Sequence, residues 1–124
     1  MSANDGQWHH ICATWRSSNG AWRFYKDGVC QSKGINFKKG YTTSPGGSLI
    51  LAQEQDNNGF DPTQSFQGTL TDVNMWSTVL SDSDIADQAS SCFSEEGNLY
   101  RWNDFIYGVR GEARIVIPSC CEGS

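Results

Sequence analysis

The chain is short of cations. Nine Lys and Arg residues face fourteen Asp and Glu, for a formal charge of −5 and a pI near 4.8. A surface of that sign has no bulk attraction for nucleic acid or another polyanion, but it suits the recruitment of cations. Long apolar runs are missing too. Mean hydropathy is −0.53, and no stretch approaches the length of a membrane span. Residues 1–7 hold no apolar core of the kind a secretory leader needs. Gly-x-Ser-x-Gly, His-Glu-x-x-His, a phosphate-cradling glycine loop and a dinucleotide fingerprint are all absent, which removes the best-marked nucleophile, metalloprotease and nucleotide chemistries. There is no Cys-x-x-Cys, and His9 and His10 as strand neighbours point to opposite faces, so zinc is a poor fit. Repeats, low-complexity tracts and domain linkers are lacking, and 124 residues leave room for one small domain.

What is present reads as all-β. Thirteen glycines and five tryptophans accompany short apolar runs punctuated by turn signals. Trp8 to Arg16 is a strand, Asn19-Gly20 a two-residue type I′ turn, and Trp22 to Lys26 the return strand. Asp27-Gly28 is a second turn of that kind and Val29 to Ser32 a third strand, completing a meander. Residues 34–47 form a surface connection. Ser48 to Leu51 reads as a further strand, and Ser65 to Trp76 as a long one. In the long strand Phe66 and Leu70 are even-numbered while Val73 and Met75 are odd, which requires a bulge near Thr71 or Asp72. Ser81 then caps a short helix from about Asp82 to Ala89. Strands are expected over Leu99 to Trp102, Phe105 to Val109 and Ala113 to Ile117. The tryptophans at strand positions read as core packing ahead of a stacking platform for ligands.

Between Gln53 and Gln64, three carboxylates (Glu54, Asp56, Asp61) and several side-chain amides fall within twelve residues, around the turn-forming Asn57, Asn58 and Gly59. Hard divalent cations take six to eight such oxygens. On composition alone an acidic, solvated loop accounts for the run equally well. Glu54 and Asp56 at i, i+2 could also act as the paired carboxylates of a glycosidase, which stand about 5 Å apart in retaining enzymes. The crowd of neighbouring oxygens favours a cation over a proton donor.

Five cysteines leave at least one without an internal partner. In the meander Cys12 falls opposite Asp27 and Cys30 opposite Tyr25. That puts Cys12 and Cys30 two strand spacings, about 10 Å, apart. A disulfide needs Cα atoms closer than about 7 Å, so these two do not bridge.

The segment His10-Ile11-Cys12-Ala13-Thr14-Trp15-Arg16-Ser17 resembles the His-x-Cys-x-Ser/Thr-Trp-x-Ser/Thr signature of the pentraxin family. Trp8-His9-His10, Gln53-Glu54-Gln55-Asp56, Phe60-Asp61, Gln64, Gly68, Asp72-Val73-Asn74-Met75-Trp76 and Val79-Leu80-Ser81 follow the same pattern in the same order. The resemblance implies a concanavalin-like jelly-roll sandwich with one short helix. On it, residues 1–124 are the C-terminal portion, somewhat more than half, of a single pentraxin-like domain whose N-terminal part is missing. It implies a secreted, extracellular recognition module and no enzyme. Such a module holds Ca²⁺ and through it an anionic small-molecule or cell-surface ligand, with a homo-oligomer left open for the complete protein. Glu54 and Asp56 would bridge two calcium ions, Gln55 would give its main-chain carbonyl, and Asp61 and Gln64 would complete the outer ion. An Asp-Asn pair at the inner ion and the pocket that reads the ligand belong to the missing part. The cysteine pattern is similar to neuronal-type pentraxins, which implies a Cys92–Cys121 disulfide and an upstream partner for Cys12. One departure stands out: only Asn57, Asn58 and Gly59 separate Asp56 from Phe60, fewer than the family pattern has. The tighter loop is compatible with Asp61 at the outer ion or drawn away from it. Two alternatives remain beside this reading: a laminin-G-like adhesion module of a larger extracellular protein, and a sandwich glycosidase remnant.

Overall fold

The computed structural model describes residues 2–56, 59–91 and 95–116, and the side chains of 54–62 fall outside that description. Strands β1 (Ile11–Arg16), β2 (Ala21–Lys26) and β3 (Val29–Gly34) form an antiparallel sheet in that order. Strands β4 (Gln53–Asp56) and β5 (Gly59–Ser65) form a separate hairpin. Helix α1 (Asp82–Ser90) and a 3₁₀ helix (Trp102–Gly108) follow. The all-β reading with one short α-helix holds.

The second turn of the meander is as expected: Lys26 pairs with Val29, and Asp27 and Gly28 take φ of 52° and 83°, the left-handed pair that a type I′ turn demands. The first turn differs. Arg16 pairs with Ala21, so four residues form the loop, and of these only Gly20 has positive φ (65°). The cause is the segment that follows β3. Asn36 and Phe37 donate their N–H groups to the carbonyls of Asn19 and Gly20, and Gly40 donates to Ser17. A Cβ on Gly20 would meet the Phe37 nitrogen at 2.5 Å. The loop is shaped to receive that strap, and the register moves by two. Cys12 therefore faces Tyr25, not Asp27, and Cys30 faces Tyr25 from the other side. The two free thiols still stand two strands apart.

Cross-strand partners share a face, so the sheet separates cleanly. Cys12, Thr14, Arg23 and Tyr25 lie on one side and receive α1. Ser81 caps that helix by accepting the Asp84 N–H at 3.1 Å. Asp82 in its first turn accepts from the Tyr25 hydroxyl and from Arg23 at 3.0 Å. Tyr25 and Ile85 are the buried hydrophobics among the described residues, at 2% and 1% exposure. Gly28 is needed here for closeness as well as for φ, because a Cβ would press to 3.1 Å on Ala86. The opposite side carries Ala13, Trp15, Trp22 and Phe24, joined by Phe37. They line an open apolar groove of about 360 Å³, and Phe24 and Phe37 remain 44% and 56% exposed.

Other strand expectations are corrected. Residues 48–51 are irregular, and the strand begins at Gln53 after Ala52 turns through φ 68°. The expected long strand from Ser65 to Trp76 does not form: residues 66–74 are irregular, so the bulge expected near Thr71 or Asp72 has no ladder to interrupt, although Asp72 turns through φ 53°. Beyond it only Met75 pairs, as an isolated bridge to Tyr100. That bridge is all that remains of the strand over Leu99 to Trp102. Phe105 to Val109 falls largely in the 3₁₀ helix, whose entry is set by Asp104 Oδ2 accepting the Arg101 N–H at 2.8 Å. Residues 113–116 are irregular, and Ile117 lies outside the described residues.

Two outcomes follow from this packing. Ile85→Ala should cost about 2–5 kcal/mol, and Val29→Ala, 61% exposed, about 0.5 kcal/mol or less, read as exchange protection of the α1 amides. Equal losses would place the core elsewhere. The open Trp/Phe face should make the isolated chain self-associate, and Phe24→Ser with Phe37→Ser should shift light scattering toward monomer. A monodisperse wild-type monomer with a sharp cooperative melt would contradict this.

Candidate functional site

The acidic run of the sequence sits on the β4–β5 hairpin. Asp56 pairs with Gly59 and Gln55 with Phe60, so Gly59 and Phe60 are strand residues where a loop was expected. The next pair is Gln53 with Ser65. Between the pairs Gln55–Phe60 and Gln53–Ser65, β4 has a single residue, Glu54, and β5 has four, Asp61 to Gln64. The backbone of β5 must therefore bulge opposite Glu54, and Asp61 and Gln64 are the two ends of the bulge. Ala52 closes the hairpin by accepting the Phe66 N–H at 2.7 Å. Bulges of this kind commonly lie beside functional sites, where they re-aim side chains. The donor types on this hairpin are oxygens throughout, with carboxylates at Glu54, Asp56 and Asp61 and an amide at Gln64, a set suited to a hard divalent cation. The side chains of Glu54, Gln55, Asp56 and Asp61 lie outside the described residues. Gln64 is described and exposed. No group of three His, Cys, Asp or Glu side chains able to hold a metal occurs among the described residues.

A three-residue charged cluster in the described part lies elsewhere, and no sequence pattern announces it. His9 Nδ1 lies 2.8 Å from Asp27 Oδ2, and His9 Nε2 lies 2.8 Å from Asp5 Oδ1. The hydrogen bond to Asp27, then that to Asp5, raises the His9 pKa above the usual histidine value. The Gln7 N–H, then His9, lowers Asp5. His9, then the His10 N–H, lowers Asp27. Burial pushes the neighbouring His10 down. Asp5 comes from an irregular segment and Asp27 from a turn 18 positions after His9, so no local period links the three. The tryptophans are only partly core: Trp15, Trp22, Trp76 and Trp102 are half-buried, and Trp8 is 51% exposed.

Burial raises the Cys12 thiol above its ordinary range, which keeps it protonated beneath the sheet. Cys92 and Cys121, the expected disulfide, lie outside the described residues, as does Cys120.

Comparison with known proteins agrees with this architecture. The Pentaxin family profile matches residues 1–117. The chain is 43% identical over 118 residues to the rat "Sushi, von Willebrand factor type A, EGF and pentraxin domain-containing protein 1", covering 92% of this chain and 3% of that protein. It is 40% identical to human "Neuronal pentraxin-2", covering 98% of this chain and 29% of the relative. The native heptameric SAP-like pentraxin of Limulus polyphemus superposes with a TM-score of 0.72 at 30% identity, covering 82% of this chain and 48% of that one. The chain thus spans a small part of the curated relatives it matches and about half of the solved chain. With the signature strand, the hairpin and the capped helix in order, the chain belongs to the Pentaxin family.

Proposed function

We propose that this chain is part of a calcium-dependent recognition module, not an enzyme, that binds anionic or phosphate-bearing ligands outside the cell. The observation that carries this reading is the hairpin bulge, where the backbone from Asp61 to Gln64 runs opposite Glu54. The acid-rich strand and the stretch holding the other candidate ligands are thereby neighbours, in a chain of −5 charge. Glu54, Asp56, Asp61 and Gln64, with the main-chain carbonyl of Gln55, would hold the cation. Bound Ca²⁺ supplies a positive centre to which a ligand's phosphate or carboxylate can attach, and it needs no acid–base or nucleophilic group from the protein. Asp56 pairs with Gly59 across the hairpin, a register that would leave Asp61 beside the acid-rich strand.

The uncovered Trp15, Trp22 and Phe24 face supports a related proposal, that residues 1–124 act as the C-terminal portion of a larger sandwich whose second layer closes over this groove. The similarity to a protein named for sushi, von Willebrand, EGF and pentraxin modules favours a second reading as well, an adhesion or scaffolding module inside a larger extracellular protein. Flanking sequence distinguishes the two: a single upstream half-domain supports a free-standing pentraxin, and an array of other modules supports the adhesion reading.

Calcium binds only the folded site, so it should raise the melting temperature of the complete domain. At a hundredfold excess over Kd the gain is about 2.7 kcal/mol. Glu54→Ala should abolish the gain and Asp61→Ala reduce it. Equal calcium stabilisation of wild type and Glu54→Ala would overturn the assignment.

A further inference from the structure

Neither the β4–β5 hairpin nor the sheet packing uses the cluster at Asp5, His9 and Asp27. The imidazole of His9 is well covered, with its side chain 13% exposed, while the carboxylates of Asp5 and Asp27 are half exposed at 54% and 52%. Both ring nitrogens face carboxylate oxygens at 2.8 Å. An ionised carboxylate only accepts hydrogen bonds, and a neutral imidazole has a single N–H. Both contacts are satisfied together only when His9 is an imidazolium. On deprotonation one nitrogen turns a lone pair toward a carboxylate.

The surroundings decide which contact fails. Asp27 is anchored independently of His9: its Oδ1 accepts the His10 N–H at 2.9 Å, and its own N–H donates to the His10 carbonyl at 2.8 Å. Asp5 is held by the Gln7 N–H of its own segment. A neutral His9 therefore keeps its proton on Nδ1 for Asp27 and loses Asp5. Among the described residues the remaining charged or titratable neighbours are His10, on the same strand lead-in, and Lys26, whose Nζ donates to the Ser2 carbonyl and whose charge also favours the Asp27 carboxylate.

We propose that Asp5, His9 and Asp27 form a proton-gated latch that holds residues 2–9 on the β2–β3 turn and frees the Asp5 arm when His9 loses a proton. The sign follows from the direction of each shift. The His9 contribution is fully present below the ordinary histidine value of about 6.5 and is lost as pH rises through its higher folded value. The Asp5 and Asp27 contributions are present above the ordinary aspartate value of about 3.9 and are lost as pH falls through their lower folded values. The latch is closed between those limits and opens on the alkaline side at the Asp5 arm.

The test is an NMR titration of the complete domain from pH 5 to 9, following both histidine rings and the backbone of residues 2–8. His9 should titrate above an ordinary histidine and His10 below it. The ¹⁵N heteronuclear NOE of residues 4–7 should fall along the His9 curve. Asp5→Asn, on an exposed arm, should lower the His9 pKa, as should Asp27→Asn, which the left-handed turn position accommodates. A His9 pKa at or below the ordinary value, a titration unmoved by Asp5→Asn, or a wild-type NOE flat across the His9 transition would each overturn the latch.

Discussion

Tyr25 joins the sheet to the helix, and the arrangement of the described core depends on it. It pairs with Cys12 on one side and Cys30 on the other across the three strands, and its hydroxyl donates to Asp82 in the first turn of α1. Burial, then that contact, raises the tyrosine pKa. The Tyr25 hydroxyl, followed by Arg23, keeps Asp82 ionised to lower pH than an ordinary aspartate. Ile85 closes the same side one turn further on. An aromatic on the central strand whose polar tip reaches a helix terminus fixes both the distance and the rotation of the helix over the strands. It also makes the two faces of the sheet unequal, one closed by α1 and one presenting tryptophan and phenylalanine.

That inequality connects packing to the proposed function. A recognition module that works through a cation must hold carboxylates close together against their mutual repulsion, so the strands bearing them need a rigid support. Here the acid-rich hairpin is a two-stranded element paired only with itself among the described residues, and such hairpins are marginal without a third strand or a packed face. The open apolar groove and the isolated hairpin make the same demand: both would be completed by further β-structure. The calcium proposal and the larger-sandwich proposal are therefore linked by a physical need.

Much of the fold was legible because the signals were local. Asp27-Gly28 specifies its turn by backbone preference alone, and Ser81 with Asp84 specifies a helix start to the residue. What stayed hidden depends on distant groups. The first turn is reshaped by hydrogen bonds from residues 36, 37 and 40, which nothing in Ser17 to Gly20 announces. The stretch after Ser65 has strand-forming residues but a single bridge partner, since strand propensity is realised only where another strand supplies the ladder. At the proposed site, oxygen-rich composition pointed to residues that form a hairpin, yet the bulge that sets the backbone of Asp61 to Gln64 opposite Glu54 is a matter of register. The His9 latch escaped notice for the same reason, since its two carboxylates come from an irregular arm and a turn.

Whether the β4–β5 hairpin holds calcium is decided by a crystal structure of the complete domain grown with calcium chloride. Anomalous density is expected beside the hairpin, about 2.3–2.6 Å from oxygens of Glu54, Asp56 and Asp61. Ordered density for all three side chains with no cation between them, or a calcium ion bound only by other residues, would contradict it.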